Sequence, residues 1–198
     1  MKIINANDKK AWDQFITSHP EANFLQSWDF YEFHHSRGNQ VVRRIAVDEK
    51  QNIKAAYAGV IEEAKRGRHL ALAGGPILDW SNQTLVDRIF QDIKKTGTKL
   101  NCVFVRVRPQ LELSDSSQQL FRQAGFKKAP MYLSVEHAGV INLEQSEEEI
   151  MKGMRQRLRR ALRKAAKNDI KVETSINPDD IHNFYKIQLQ TAKRHDFF

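Results

Sequence analysis

The chain has 198 residues, 40% of them hydrophobic and 28% charged, a composition typical of a globular protein long enough to form a substantial core. Its 32 lysines and arginines against 24 acidic residues give a formal net charge of +8, which favours nucleic acid, a nucleotide-sugar or an anionic membrane surface as partner. The single cysteine, Cys102, excludes an internal disulfide and argues against a metal site. The sequence shows no signal peptide and no membrane-length apolar segment, so we expect a soluble cytoplasmic protein.

The first third of the chain predicts two short helices and an antiparallel hairpin. The expected elements are a strand at residues 2–5, a helix from Asn7 or Asp8 to about Ser18, a helix from Ser27 to about Arg37, and strands at residues 40–47, 53–62 and 69–73. We expect the aromatic residues of the two helices, among them Trp28, Tyr31 and Phe33, to lie mostly in the core.

The pattern continues with helices and strands interleaved. Gly74-Gly75 lacks the lysine of a P-loop and the spacing of a dinucleotide site, so we interpret it as a tight turn. The elements expected after it are a helix at residues 84–95, a strand at 101–108, a helix at 114–123, a strand at 132–143 and a helix that begins at Asn177. This order predicts an α+β fold in which helices pack on a mixed sheet.

Residues 146–172 form the most informative stretch of the sequence. Ser146 and Glu149 have the spacing of a capping box, which predicts a helix that ends near Asn168 and is followed by a short strand at residues 170–172. Apolar residues from Ile150 to Ala165 recur every three or four positions and should anchor one side of this helix in a core. The basic residues that occupy the rest of its circumference are Lys152, Arg155, Arg157, Arg159, Arg160, Arg163, Lys164 and Lys167.

This basic surface predicts an anionic ligand. Arginines four apart, such as Arg155 with Arg159, repel each other by a few tenths of a kcal/mol, a cost that a bound anion removes. Planar guanidinium groups match phosphate geometry, so a phosphate-bearing ligand is our interpretation. The alternative is a solvated face beside acidic loops of the same molecule. His34 and His35 have no companion cluster and are not expected to bind a metal.

Several segments, in order along almost the whole chain, together resemble the FemABX family of peptidoglycan-bridge aminoacyltransferases. The segments that carry the resemblance are NFLQSW (residues 23–28) with FYEF (30–33), GPILD (75–79), HAGVINL (137–143) with SEEEI (146–150), MRQRLRRALRKA (154–165) and TAKRHDF (191–197). The family is built from two related acyltransferase domains of the GNAT type, and LFRQAGF (120–126) also resembles a segment of GNAT folds. The resemblance therefore implies a GNAT-like, mostly antiparallel sheet flanked by helices.

The same resemblance implies a domain division and an activity. Residues 1–145 would form the first GNAT-like domain, and residues 146–198 the basic helix and the incomplete start of a second one. The implied reaction moves an amino acid from aminoacyl-tRNA to the peptide stem of lipid II or UDP-MurNAc-pentapeptide, with no cofactor and no metal. Because most of the second domain would be missing, we expect this chain to supply the precursor-binding side and to lack activity alone.

The resemblance also assigns candidate substrate-binding residues. Arg159 and Arg163 fall on the arginines of the family's basic motif, His34 falls where many relatives have a lysine, and Trp28 belongs to the tryptophan motif. Asn142 replaces a usual aspartate, and no catalytic residue is assigned.

Two other functions remain open from the sequence. An RNA-binding module would use the basic helix, although no aromatic residues for base stacking are interleaved in it. An acetyl-CoA-dependent N-acyltransferase would share the fold, but its usual pyrophosphate loop is not recognisable in the sequence.

Overall fold

The computed structural model describes residues 1–130, 139–168 and 172–197. The chain divides into two compact units, residues 1–133 and 134–198. Within these residues the strands all lie in the first unit and are β1 (Lys2–Asn5), β2 (Val41–Val47), β3 (Ile53–Ala64), β4 (Gly67–Gly74), β5 (Ile77–Leu78) and β6 (Phe104–Pro109). The helices of the first unit are α1 (Lys9–Thr17), α2 (Trp28–Ser36), α3 (Gln83–Lys99) and α4 (Asp115–Gln123), and those of the second are α5 (Glu147–Gly153), α6 (Gln156–Lys167) and α7 (Ile181–His195).

The described strands of the first unit form one mixed sheet in the order β1-β2-β3-β4-β6, with the short β5 paired to β3. The pairs from β1 to β4 are antiparallel, and β4 and β6 run parallel with His69 opposite Phe104. Helices cover both faces, because neighbouring residues of β3 enter different clusters: Tyr57 packs with α3, and Ala58 packs with Trp12 and Tyr31 of α1 and α2. The predicted α+β class is therefore confirmed.

The strands β3 and β4 diverge, and a side chain fills the gap between them. Their ladder extends from Val60 opposite Ala71 to Ala64 opposite Gly67, while the start of β3 pairs with β5 instead. The Gln26 side-chain amide lies in the opening, where its Oε1 accepts a hydrogen bond from the Ala58 N–H at 2.9 Å and its Nε2 donates to the Ala73 carbonyl at 2.7 Å. Gln26 is fully buried.

Two segments singled out from the sequence meet at this gap. The Asn23 side chain donates to the Gly74 carbonyl at 3.0 Å, and a Cβ on Gly75 would lie 2.6 Å from the Gln26 Cδ. Gly74 has φ +71°, a conformation that favours glycine. The interpretation of Gly74-Gly75 as a tight turn agrees with this packing.

The second unit corrects the prediction of one continuous basic helix. Met154 (ψ 147°) and Arg155 (ψ 144°) are extended, so α5 ends at Gly153 and α6 begins at Gln156. Gly153 is the only local signal for this break, since glycine has a high intrinsic cost in a helix. The expected burial of the apolar side was also wrong, because Leu158 is 49% and Leu162 is 42% exposed.

Other sequence predictions are adjusted by the structure. Helix α3 continues to Lys99 because Gly97 allows close contact with β6, where an added Cβ would lie 2.5 Å from Val105 Cγ1. Strand β6 begins only at Phe104, since Asn101 adopts a positive φ in the preceding turn. Phe33 is 56% exposed, against the prediction of a core position.

Two predicted strands fall wholly or partly outside the described residues. Of the strand expected at residues 132–143, residues 132–138 lie outside that range, and residues 139–143 form no strand. Residues 170 and 171 of the second predicted strand also lie outside it.

Candidate anion-binding site

Helix α5 begins at a complete capping box. The Ser146 N–H and hydroxyl donate to the Glu149 carboxylate at 2.9 and 2.8 Å, and the Ser146 hydroxyl oxygen accepts from the Glu149 N–H at 3.3 Å. The backbone and side-chain hydrogen bonds from Ser146 lower the pKa of Glu149 below its ordinary value. Acidic residues in the first turn also suit the positive end of the helix, so the position where α5 begins is well determined by its own sequence.

The break after α5 brings the end of one helix to the start of the next. The Arg159 guanidinium of α6 reaches back and donates from Nη1 to the Lys152 carbonyl of α5 at 3.2 Å. This bond satisfies a carbonyl that helix α5 leaves without an intrahelical partner. Arg159 is half-buried, and this bond ties its guanidinium to the end of α5.

A concavity of about 250 Å³ lies at this junction. Its lining residues are Met151, Lys152, Gln156, Arg159, Arg160 and Arg163. The lining contains four cationic side chains and no carboxylate, and among the described residues no acidic side chain forms an ion pair with any of the four. Several arginines around one open concavity form an arrangement suited to a phosphate or pyrophosphate group.

The structure brings together two of the predicted site residues, Arg159 and Arg163, at this concavity. Lys152 and Arg160 also line it, although the sequence predicts them only as part of the general basic surface. These two residues could not be singled out from the sequence, because the concavity that they line forms at the break between α5 and α6. Periodicity within a single helix does not reveal that break.

The other two predicted residues, Trp28 and His34, lie on α2 in the first unit. Trp28 packs edge-to-face on Trp12 with ring centroids 6.2 Å apart, and the Arg43 guanidinium lies 4.2 Å from the centre of its ring. The Arg43 guanidinium also pairs with Glu32 at 2.7 Å. His34 is half-buried between aromatic rings, with its Nδ1 3.3 Å from the Asn39 side-chain amide. These contacts fix both residues in the fold, and their proposed contact with substrate stays a prediction.

A second concavity, of about 440 Å³, lies in the first unit. Two of its lining residues, Arg44 and Asp92, form an ion pair with each other. Asp92 accepts two hydrogen bonds from Arg44, at 2.9 and 3.1 Å, and a third from the Tyr57 hydroxyl at 2.7 Å. Burial raises the pKa of Tyr57, so this hydroxyl stays protonated and donates. The network links β2, β3 and α3 and serves the fold.

The part of the chain that the structure describes contains no group of three or more His, Cys, Asp or Glu residues placed to hold a metal ion. Within the same residues, none of the helices combines the length and the apolar character needed to cross a bilayer.

A protein-family model described as the FemAB family matches residues 8–129 and 123–198 of the chain. Among curated proteins, the chain is 23% identical over 196 residues to a lipid II:glycine glycyltransferase of Staphylococcus haemolyticus, covering 93% of this chain and 46% of that protein. It is 24% identical over 219 residues to an aminoacyltransferase FemA of Staphylococcus epidermidis, covering 100% of this chain and 52% of the relative. The chain thus spans about half the length of these relatives.

Solved structures support the fold. The crystal structure of FemX matches with a TM-score of 0.80 at 19% identity, covering 100% of this chain and 51% of that one. A probable acetyltransferase matches with a TM-score of 0.51 at 15% identity, covering 72% of this chain and 100% of the other. The GNAT-like fold implied by the sequence resemblance is confirmed.

Proposed function

The chain belongs to the FemAB family, and we propose that it forms the precursor-binding part of an aminoacyltransferase that extends the peptide stem of a peptidoglycan precursor. The precursor would be lipid II or UDP-MurNAc-pentapeptide. The names of the relatives, a lipid II:glycine glycyltransferase and an aminoacyltransferase, support a reaction of this class. The proposal includes the predicted division into a first GNAT-like domain at residues 1–145 and the start of a second at 146–198.

The observation that carries the proposal is the cationic concavity between α5 and α6. Both candidate precursors contain a pyrophosphate, which offers several anionic oxygens to Lys152, Arg159, Arg160 and Arg163. The bond from Arg159 to the Lys152 carbonyl restricts one guanidinium before the ligand arrives. Less conformational freedom is then lost on binding, which favours affinity.

The proposed reaction is acyl transfer from an ester to an amine. The neutral amine of the peptide stem attacks the ester carbonyl of aminoacyl-tRNA, a C–N bond forms, and the C–O bond to the tRNA breaks. The proton lost by the amine ends on the departing tRNA hydroxyl, and the intermediate oxyanion requires hydrogen-bond donors. The role proposed for the concavity is to hold the precursor so that its amine meets the ester, and His34 and Trp28 are proposed as further precursor contacts.

Aminoacyl-tRNA is the proposed donor, and the basic residues outside the concavity suit it. Arg157 and Lys164 lie on α6 but do not line the concavity, and both are exposed. Exposed cations along a helix favour contact with the phosphate backbone of RNA. Precursor and tRNA would therefore use different members of one basic segment.

The test is a calorimetric titration of UDP-MurNAc-pentapeptide into the parent protein and into an Arg159→Ala/Arg163→Ala variant. We expect the variant to lose about 2–4 kcal/mol of binding free energy, on the scale of two charge-assisted hydrogen bonds. An Arg157→Ala/Lys164→Ala variant is the matched control, since it removes the same charge from the same helix away from the concavity.

The control should lose less than about 1 kcal/mol, the usual scale for exposed charges. Equal losses of binding free energy in both variants would show that precursor binding depends only on the total charge of α6 and not on the concavity. Failure of the well-folded parent to bind would refute precursor binding by this chain.

A further inference from the structure

An exposed aromatic surface lies on the first unit, at the turn before α2 and along that helix. We define the aromatic patch as Phe24, Phe30, Phe33, His34 and Arg37. Phe24 is 71% and Phe33 is 56% exposed. The rings are continuous: Phe24 contacts Phe30 with centroids 5.8 Å apart, Phe30 contacts His34 at 4.8 Å, and His34 contacts Phe33 at 5.7 Å. Two exposed rings, Phe24 and Phe33, are thus joined through the half-buried rings of Phe30 and His34, and an exposed apolar surface of this kind is typical of an interaction site.

The opposite side of the same segment is anchored in the core, so the patch cannot turn inward. Tyr31 is only 1% exposed and its hydroxyl donates to the Ala58 carbonyl at 2.8 Å. Gln26 is held by β3 and β4, and the Trp12 indole N–H donates to the Gln26 carbonyl at 2.8 Å. These contacts therefore keep the side chains of Phe24 and Phe33 on the solvent-exposed side of the segment.

The charges beside the patch favour an anionic partner. Both acidic residues of α2 have cationic partners: Glu32 pairs with Arg43 at 2.7 Å, and Asp29 pairs at 2.9 Å with Lys9, which also pairs with Asp13. The Arg37 guanidinium lies 5.7 Å from the centre of the Phe33 ring, and no described carboxylate forms an ion pair with it. The patch thus presents aromatic rings with one cation, Arg37, at one end, and its histidine, His34, lies in the last turn of α2.

We propose that the aromatic patch docks this protein on the surface of an anionic lipid bilayer. Aromatic side chains prefer the interface between headgroups and acyl chains, and an adjacent arginine is attracted to anionic headgroups. The inference rests on the proposed function in one respect: a lipid-linked precursor would be reached at a membrane surface. The patch would then bring the protein to the surface that carries its substrate.

The test is co-sedimentation of the full chain with vesicles of equimolar phosphatidylcholine and phosphatidylglycerol, free of any precursor. We expect Phe24→Ser/Phe33→Ser to lower the partition coefficient by about tenfold or more, because interfacial affinity scales with the apolar area inserted. Arg37→Gln should lower it about fivefold on anionic vesicles and leave binding to pure phosphatidylcholine vesicles unchanged.

Two double variants serve as matched controls. Val103→Ser/Leu113→Ser removes residues of the first unit that are 70% and 63% exposed but lie outside the patch. Phe184→Ser/Ile187→Ser removes exposed residues of α7, which are 67% and 65% exposed. Both should bind vesicles like the parent.

The proposal is overturned if the folded parent does not sediment with anionic vesicles, or if either control loses as much binding as the patch variant. It is equally overturned if the patch variant binds normally, in which case a protein partner would be the next occupant to consider. Titration of the lipid-free UDP-MurNAc-pentapeptide into the patch variant keeps the two proposals separate. Normal precursor binding together with lost vesicle binding supports membrane docking by the patch. Lost precursor binding together with normal vesicle binding overturns membrane docking and leaves only the proposed function.

Discussion

At the scale of single residues, Gln26 shows how one side chain can replace part of a strand ladder. Its amide pairs with the backbone of Ala58 and Ala73, which lie 32 and 47 positions further along the chain. Gln26 belongs to the NFLQSW segment, but the sequence predicts no role for it, since both hydrogen-bond partners are distant in sequence. Its position became interpretable only when the divergence of β3 and β4 was known.

We predict that Gln26→Leu destabilises the protein by about 3 kcal/mol, because the Ala58 N–H and the Ala73 carbonyl lose partners in a buried place. Urea denaturation followed by circular dichroism measures the change. Gln14→Leu, on the exposed side of α1, is the control and should lie within about 0.5 kcal/mol of the parent. A loss below about 1 kcal/mol for Gln26→Leu would mean that water or relaxation replaces the amide, contrary to this account.

At the scale of elements, what could be predicted from the sequence depended on local interactions. The caps expected at Asn7 or Asp8, at Ser27 and at Ser146 form at Asp8, Ser27 and Ser146, because each joins a side chain to a backbone N–H three positions away. The break between α5 and α6, which the hydrogen bond from Arg159 to the Lys152 carbonyl spans, was missed. The apolar repeat runs through the break without interruption, so periodicity alone predicts one helix.

The break leads to a prediction about Arg155. Its φ of −59° lies in the range of proline, and the preceding Met154 has the extended ψ that proline favours in its neighbour. Among the described residues, the Arg155 N–H donates to no acceptor. Arg155→Pro should therefore keep the helical circular dichroism signal and be about 0.4–1 kcal/mol more stable than Arg155→Ala, since proline restricts the unfolded chain.

The contrasting variant is Arg160→Pro, in the interior of α6, which should lose helical signal and about 3 kcal/mol or more of stability. If α5 and α6 formed one helix in solution, Arg155→Pro would be as damaging as Arg160→Pro. Comparing the signal at 222 nm for the two proline variants and Arg155→Ala decides between these structures.

At the scale of the whole molecule, the net charge of +8 is unevenly arranged. In the first unit, several basic side chains are paired with acids, as in Arg43 with Glu32 and Arg44 with Asp92. Residues 152–167 contain eight basic residues and no acidic one. This segregation is visible in the sequence, which explains why the basic segment could be located from the sequence and the shape of its concavity could not.

The arrangement predicts how tRNA binding depends on salt. If Arg157 and Lys164 each neutralise one phosphate, the logarithm of the association constant for uncharged tRNA should fall linearly with the logarithm of salt concentration. The slope of an Arg157→Gln/Lys164→Gln variant should be shallower by about 1.5, because each lost phosphate contact contributes about 0.7–0.9. Lys10→Gln/Lys65→Gln, which removes two exposed lysines of the first unit, should leave the slope unchanged. Filter binding at four or five salt concentrations measures these slopes. Equal changes of slope in both variants would mean that tRNA binding depends on the total charge of the protein and not on α6.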